Sequence, residues 1–184
     1  MNTPFPGFST PSAGPEAPLE MLSVCHDRMA RQCATLRRLV PHLALHGADP
    51  EARTAAANVM RYFDTSAINH HQDEEVDLFP ALIESMAGSD AVCLHEMTEG
   101  LTRDHRALEA QWQRLRITLA QIAAGESVPL TADDVEALVG LYERHIEREN
   151  TELLPMAARL LGDDALASIG RAMRERRGIG DVSI

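Results

Sequence analysis

Apolar positions along this chain recur at helical spacing, and alternating runs of Val, Ile and Thr are absent. Ala, Leu, Arg and Glu dominate, which favours helix. Punctuation divides the pattern into four long helices and a short fifth. The first is expected from about Leu19 to His46, closing at Gly47, with a kink at Pro41. The second opens with Asp49 as N-cap and Pro50 in the first helical position, bends at Pro80 and stops near Ala87–Gly88. The third starts with Asp90 as cap, is weakened at Gly100 and ends before Gly125. The fourth starts at the capping box Thr131-x-x-Asp134, carries Pro155 where the second carries Pro80, and ends near Leu161–Gly162. The fifth, about Asp164 to Arg177, has arginines toward its C-terminus, where the helix dipole favours cations. Short turns between long helices make neighbours antiparallel. The fold class is therefore all-α: an up-down-up-down four-helix bundle with a short C-terminal fifth helix.

Composition narrows this further. With 184 residues the chain can build one substantial core, placed here over residues 19–184. A Pro-rich arm over residues 1–18 is expected to be disordered; it has neither the basic residues nor the apolar stretch of a secretory signal. A net charge of -11 without a Lys or Arg block argues against nucleic-acid or anionic-membrane partners. No apolar run approaches the ~20 residues of a membrane span. Cys25, Cys33 and Cys93 are an odd set without an export signal, so free thiols and a cytoplasmic location are expected. Nothing in the chain specifies an oligomeric state.

The histidines carry the chemistry, because one pattern is spelled twice. "HDRMARQCATL" from His26 parallels "HRALEAQWQRL" from His105, and "HHQDEEVDLFP" from His70 parallels "HIERENTELLP" from His145. Each half thus supplies a lone histidine and a His-x-x-x-Glu step, His70 with Glu74 and His145 with Glu149. Residues four apart share a helix face, so each His and Glu reach the same side. Counting from the turns puts His26 and His70 at one height, each 20 residues from its helix end at His46 or Pro50. The second turn leaves a mismatch of roughly 3 Å at 1.5 Å per residue. The third is less even, and an early end to the third helix near Gln121 would reconcile it. Four imidazoles and two carboxylates then meet at mid-bundle and suit two metal ions, with both carboxylates bridging and open positions for a small molecule. Nitrogen and oxygen donors without thiolate favour iron, with manganese or zinc as alternatives.

Other histidines are read differently. His95 and Glu99 repeat the spacing outside the doubled register and are expected to be a surface pair. His42 and His46 close the first helix and are expected to meet solvent or cap carbonyls. His71 and Glu75 offer a competing register, but matching Pro80 to Pro155 and Leu78 to Leu153 selects His70 and Glu74. Tyr142 shares a face with His145 and could line a ligand pocket, while Phe63 is expected to close the site with apolar bulk.

The motifs "CHDRM", "HHQDEEVDLFP", "RDHRALE" and "HIERENTELLP" resemble those of the hemerythrin-like family, the HHE cation-binding domain, over about Leu19 to Leu161. The resemblance implies a non-haem di-iron centre with His26, His70, Glu74, His105, His145 and Glu149 as ligands. It also implies a small diatomic ligand or peroxide as partner. Oxygen-carrying members offer His-x-x-x-His on their third helix, whereas Glu109 stands four residues past His105 here, and their last ligand is typically Asp rather than Glu149. Weight therefore shifts to the broader bacterial group. Binding or sensing of oxygen or nitric oxide is the leading expectation. The alternative is a redox enzyme acting on peroxide or nitric oxide, or supporting iron–sulfur cluster repair.

Overall fold

A computed structural model describes residues 17–86 and 90–180. Four long helical rods and one shorter helix make up this region. Helix α1 is Pro18–His46, α2 spans residues 50–85, α3 is Asp90–Ala124, α4 spans residues 132–160, and α5 is Asp163–Arg176. Each long rod packs on its predecessor and successor, and α4 closes the square against α1, giving the expected four-helix bundle. Helix α5 lies across α1 and the middle of α2. Of the expected arm, residues 1–16 fall outside the described residues, and Pro18 already begins α1.

Local chemistry explains most ends. The Asp49 carboxylate accepts from the Ala52 N–H at 2.8 Å, and Thr131 Oγ1 accepts from the Asp134 N–H at 3.1 Å, so both expected N-caps form. Helix α1 continues through Pro41 to His46 and ends at Gly47, whose φ of 65° lies in the left-handed region that glycine tolerates. Helix α2 ends at Ser85 with Met86 extended, short of the expected Ala87–Gly88. Helix α3 begins on Asp90 itself rather than after it.

Two expectations are corrected. Helix α3 does not fray near Gln121 but runs to Ala124. The excess height, about 9 Å at 1.5 Å per residue, is absorbed by the link over residues 125–131, where Leu130 is buried in the core and Val128 packs against it. Nor is Gly100 merely a weak point: a Cβ there would sit 2.9 Å from Arg148 Nη1, so the missing side chain lets α4's guanidinium cross α3.

The prolines act through π-helical turns. The stretches Asp73–Leu78 and Glu149–Leu153 are π-helical and immediately precede the segments holding Pro80 and Pro155 near their starts. A proline has no N–H to give and crowds the carbonyl four residues back, and a wider turn relieves both problems. Phe79 N–H therefore bonds Glu74 O, and Leu154 N–H bonds Glu149 O, each five residues back. A further π turn, Tyr62–Ser66, carries Phe63.

Apolar burial is split into two layers. One gathers Met29, Leu36, Val59, Phe63, Leu108, Trp112, Leu138 and Tyr142. The other gathers Leu22, Leu78, Phe79, Leu82, Leu101, Leu153, Ile169 and Met173. Along every rod, the residues between these layers are the doubled histidines and glutamates.

Candidate metal centre

Burial of six ionisable side chains is what sets this middle layer apart. His26, His70, Glu74, His105, His145 and Glu149 are each at most 2% exposed. Unpaired, such groups would cost several kcal/mol apiece. Their contacts fall into two matched sets. His26 Nε2 and His70 Nε2 are 3.2 Å apart, and His105 Nε2 and His145 Nε2 are 3.1 Å apart. Glu74 places Oε1 3.3 Å from His70 Nε2 and Oε2 3.2 Å from His105 Nε2. Glu149 places Oε2 3.0 Å from His26 Nε2 and Oε1 3.1 Å from His145 Nε2. Each carboxylate thus turns one oxygen to each histidine pair.

This spacing fits metal ions. Two ligands at right angles on one ion, each about 2.1 Å away, stand about 3 Å apart. All four carboxylate oxygens of Glu74 and Glu149 are buried without a hydrogen-bond donor. His26, His70, Glu74 and Glu149 form one group whose ligand atoms lie within 4.8 Å of one another, and Glu74, His105, His145 and Glu149 form a second. The shared carboxylates make the pair a bridged arrangement rather than two separate sites.

Tautomers are set from outside the cage. His105 Nδ1 donates to Glu75 Oε1 at 2.7 Å, and Glu75 is held in turn by Arg106. His26 Nδ1 donates to Asn150 Oδ1 at 2.7 Å. When these rings are neutral, Nε2 is left with a lone pair facing inward. Glu75 and Asn150 hold equivalent places in the two motifs, each directly after the buried glutamate. That shared place was the available signal for a role the spacing rules had passed over.

Without a cation the cage must share protons. Burial, then the charge of Glu149, pushes the Glu74 carboxyl up to about 7. Burial also opposes ionisation of Glu149, but His105, His145 and His26 outweigh it and hold this carboxyl well below its usual range. Burial would lower His105, yet Glu149 and Glu74 raise it to about 10. His70 and His71 are held well below the usual imidazole range, first by burial and then by neighbouring imidazoles. A cation supplies the positive charge these protons otherwise provide.

Neighbouring residues depart from expectation in places. His71 does not stand apart: its ring stacks on His105 with centroids 3.9 Å apart. His42 bonds the N-cap carboxylate of Asp49 at 3.0 Å rather than solvent or a carbonyl, because α1 and α2 meet there. His95 and Glu99 form the expected exposed pair. Cys25 is buried and offers its carbonyl to the Tyr62 hydroxyl, and all three cysteines are free. Asp73, fully buried beside Glu74, is paired by Arg176 and Arg177 from the turn that ends α5. A half-open cavity of about 310 Å³ reaches inward beside this layer, walled by Phe63, Trp112 and Tyr142 with His71 in its lining. Among the described residues no helix is long and apolar enough to cross a membrane.

Comparison with known proteins agrees with this geometry. The model of the hemerythrin HHE cation-binding domain matches residues 17–157. An uncharacterized protein of Haemophilus influenzae is 30% identical over 162 residues, covering 88% of this chain and 91% of the relative. The chain belongs to the hemerythrin HHE cation-binding family, and its buried His/Glu groups together with that membership support a carboxylate-bridged di-iron cofactor.

Proposed function

We propose that the protein holds two iron ions through His26, His70, Glu74, His105, His145 and Glu149, and reversibly binds a diatomic molecule such as oxygen or nitric oxide. The observation that carries this reading is the way Glu74 and Glu149 each turn one oxygen to either histidine pair. Two imidazoles and two carboxylate oxygens per ion leave open positions in an octahedral set. When bound, iron supplies a redox-active Lewis acid that a diatomic can address. This chain's residues do the remainder. Glu75 and Asn150 fix the orientation of His105 and His26. Apolar layers on both sides keep bulk water away, and a dry surround supports reversible binding over solvent-assisted oxidation. Phe63, Trp112 and Tyr142 wall the cavity by which a small molecule approaches.

The donor set, nitrogen and oxygen without a cysteine, favours iron over zinc. A cytoplasmic setting belongs to the same reading, supported by three free cysteines. A second reading, reduction of peroxide or nitric oxide, draws on Glu75 and Glu109 in the cavity's lining, carboxylates able to relay protons. Mixing the ferrous protein with oxygen or nitric oxide, and separately with peroxide, tests the two. A spectral adduct that reverses when the gas is removed supports binding; repeated turnover without an adduct supports catalysis.

A further inference from the structure

The cage has a support from outside the four rods. Glu74 stands on the Asp73–Leu78 π turn, and two further carboxylates of that turn, Asp73 and Asp77, are held by the C-terminal end of α5. Both oxygens of Asp73 are taken: Arg176 and Arg177 donate to Oδ1, and Arg177 Nη2 donates to Oδ2 at 2.5 Å. Arg176 Nη2 reaches on to Asp77 Oδ2 at 2.7 Å. Arg177 Nη1 also donates to Met173 O at 2.8 Å, which ties the guanidinium to its own helix. Forked contacts of this kind fix direction as well as charge. The matching π turn of α4 is built differently. In the doubled motif Asp73 and Asp77 correspond to Arg148 and Glu152, whose side chains are 35% and 57% exposed.

We propose that Arg176 and Arg177 are positioning residues for the metal centre: through Asp73 and Asp77 they hold the π turn where Glu74 gives one oxygen to each histidine pair. This rests on the di-iron reading given above. Neighbours on a helix point in different directions, so Asp73 faces α5 while Glu74 faces the cage. Glu74 has little latitude. Its oxygens lie 3.3 Å from His70 Nε2 and 3.2 Å from His105 Nε2, so a shift toward one pair draws it away from the other. Because Glu74 serves both pairs, the clamp acts on both ions at once, whereas Glu75 and Asn150 each act on one ring. Linkage between binding events is reciprocal. If docked α5 tightens iron binding, bound iron tightens the docking of α5 by the same factor. The state of a buried centre is thereby carried to a helix with an exposed face.

The test compares full-length chains by anaerobic competition for ferrous iron with a chelator, and by hydrogen–deuterium exchange. Arg176→Lys with Arg177→Lys keeps both charges beside Asp73 but gives up the forked grip. This pair should fold and lower iron affinity about tenfold, the low end for outer contacts, with both ions weakened together. Arg176→Ala with Arg177→Ala should lower it further. Leu36→Ala, in the apolar layer that holds Phe63 and Trp112, costs stability without touching the turn and should leave iron affinity as in wild type. In the wild-type chain, iron should slow exchange at those α5 amides that open while the bundle stays folded. In the lysine pair that slowing should shrink. Iron held by the lysine pair as tightly as by wild type, or weakened no more than in Leu36→Ala, overturns this inference alone. So does α5 exchange indifferent to iron in a chain carrying two irons. Wild-type protein that takes up less than one iron overturns the di-iron reading and this inference with it.

Discussion

His105 Nδ1 meets Glu75 Oε1 at 2.7 Å, and the other half of the bundle repeats the contact with His26 and Asn150 at the same distance. The two partners differ in charge. Glu75 makes His105 the more strongly donating imidazole, while neutral Asn150 only orients His26.

Removing either partner should loosen one ion more than the other. Glu75→Ala or Asn150→Ala is expected to lower iron affinity about 10- to 100-fold at one of the two sites, the usual scale for such outer contacts. Competition with a chelator, read as a two-step rather than one-step loss of iron, checks it. Equal weakening of both sites would contradict the pairing.

The protons of the metal-free cage predict a pH trend. Glu74 has a folded pKa of about 7, raised from 4.5. Its ionisation penalty is therefore absent below pH 4.5, grows through neutrality and is complete above pH 7, reaching about 3 kcal/mol. His105 is raised from 6.5 to about 10, so its favourable contribution is full below pH 6.5 and fades as pH rises through 10. Metal-free protein should thus lose stability from pH 6 to pH 9. Iron binding displaces protons and strengthens over the same range. Thermal melts at several pH values should show the gap between loaded and metal-free protein widening with pH. Glu74→Gln should stabilise the metal-free form at pH 8, leave it little changed at pH 4.5, and weaken iron binding at both sites.

Helix α5 is fastened at the same layer. Asp73 is fully buried and paired with Arg176 and Arg177, while Arg176 also reaches Asp77 at 2.7 Å. Replacing both arginines by alanine leaves a buried charge without a partner, a loss of about 3–5 kcal/mol in comparable cases. Urea unfolding measures this, and adding Asp73→Asn to the double variant should recover part of the loss.

Gly100→Ala tests the crossing of α3 and α4. The atom a Cβ would meet is the far end of Arg148, a side chain 35% exposed and free to swing. Helix propensity favours alanine by about 1 kcal/mol, so a small net gain in the melting midpoint is expected.

Much of this architecture was legible because it rests on local rules. Asp49 and Thr131 announce helix starts, and the doubled spacing of His70 with Glu74 and His145 with Glu149 places both pairs on inward faces. The π turns were not legible. Pro80 and Pro155 signal a disturbance, but whether a helix bends or widens depends on the packing around it. The link over residues 125–131 escaped for a related reason: Leu130 is drawn into the core by contacts far away in sequence. His71 was set aside because a strict repeat admits one register, whereas stacking on His105 comes from another helix.

The central claim is that the buried cage grips a pair of iron ions. Elemental analysis of the purified chain after anaerobic reconstitution with ferrous iron and removal of the excess tests it most directly. About two irons per chain, falling sharply in Glu149→Ala, is the predicted result; less than one iron per chain in correctly folded wild-type protein would contradict it.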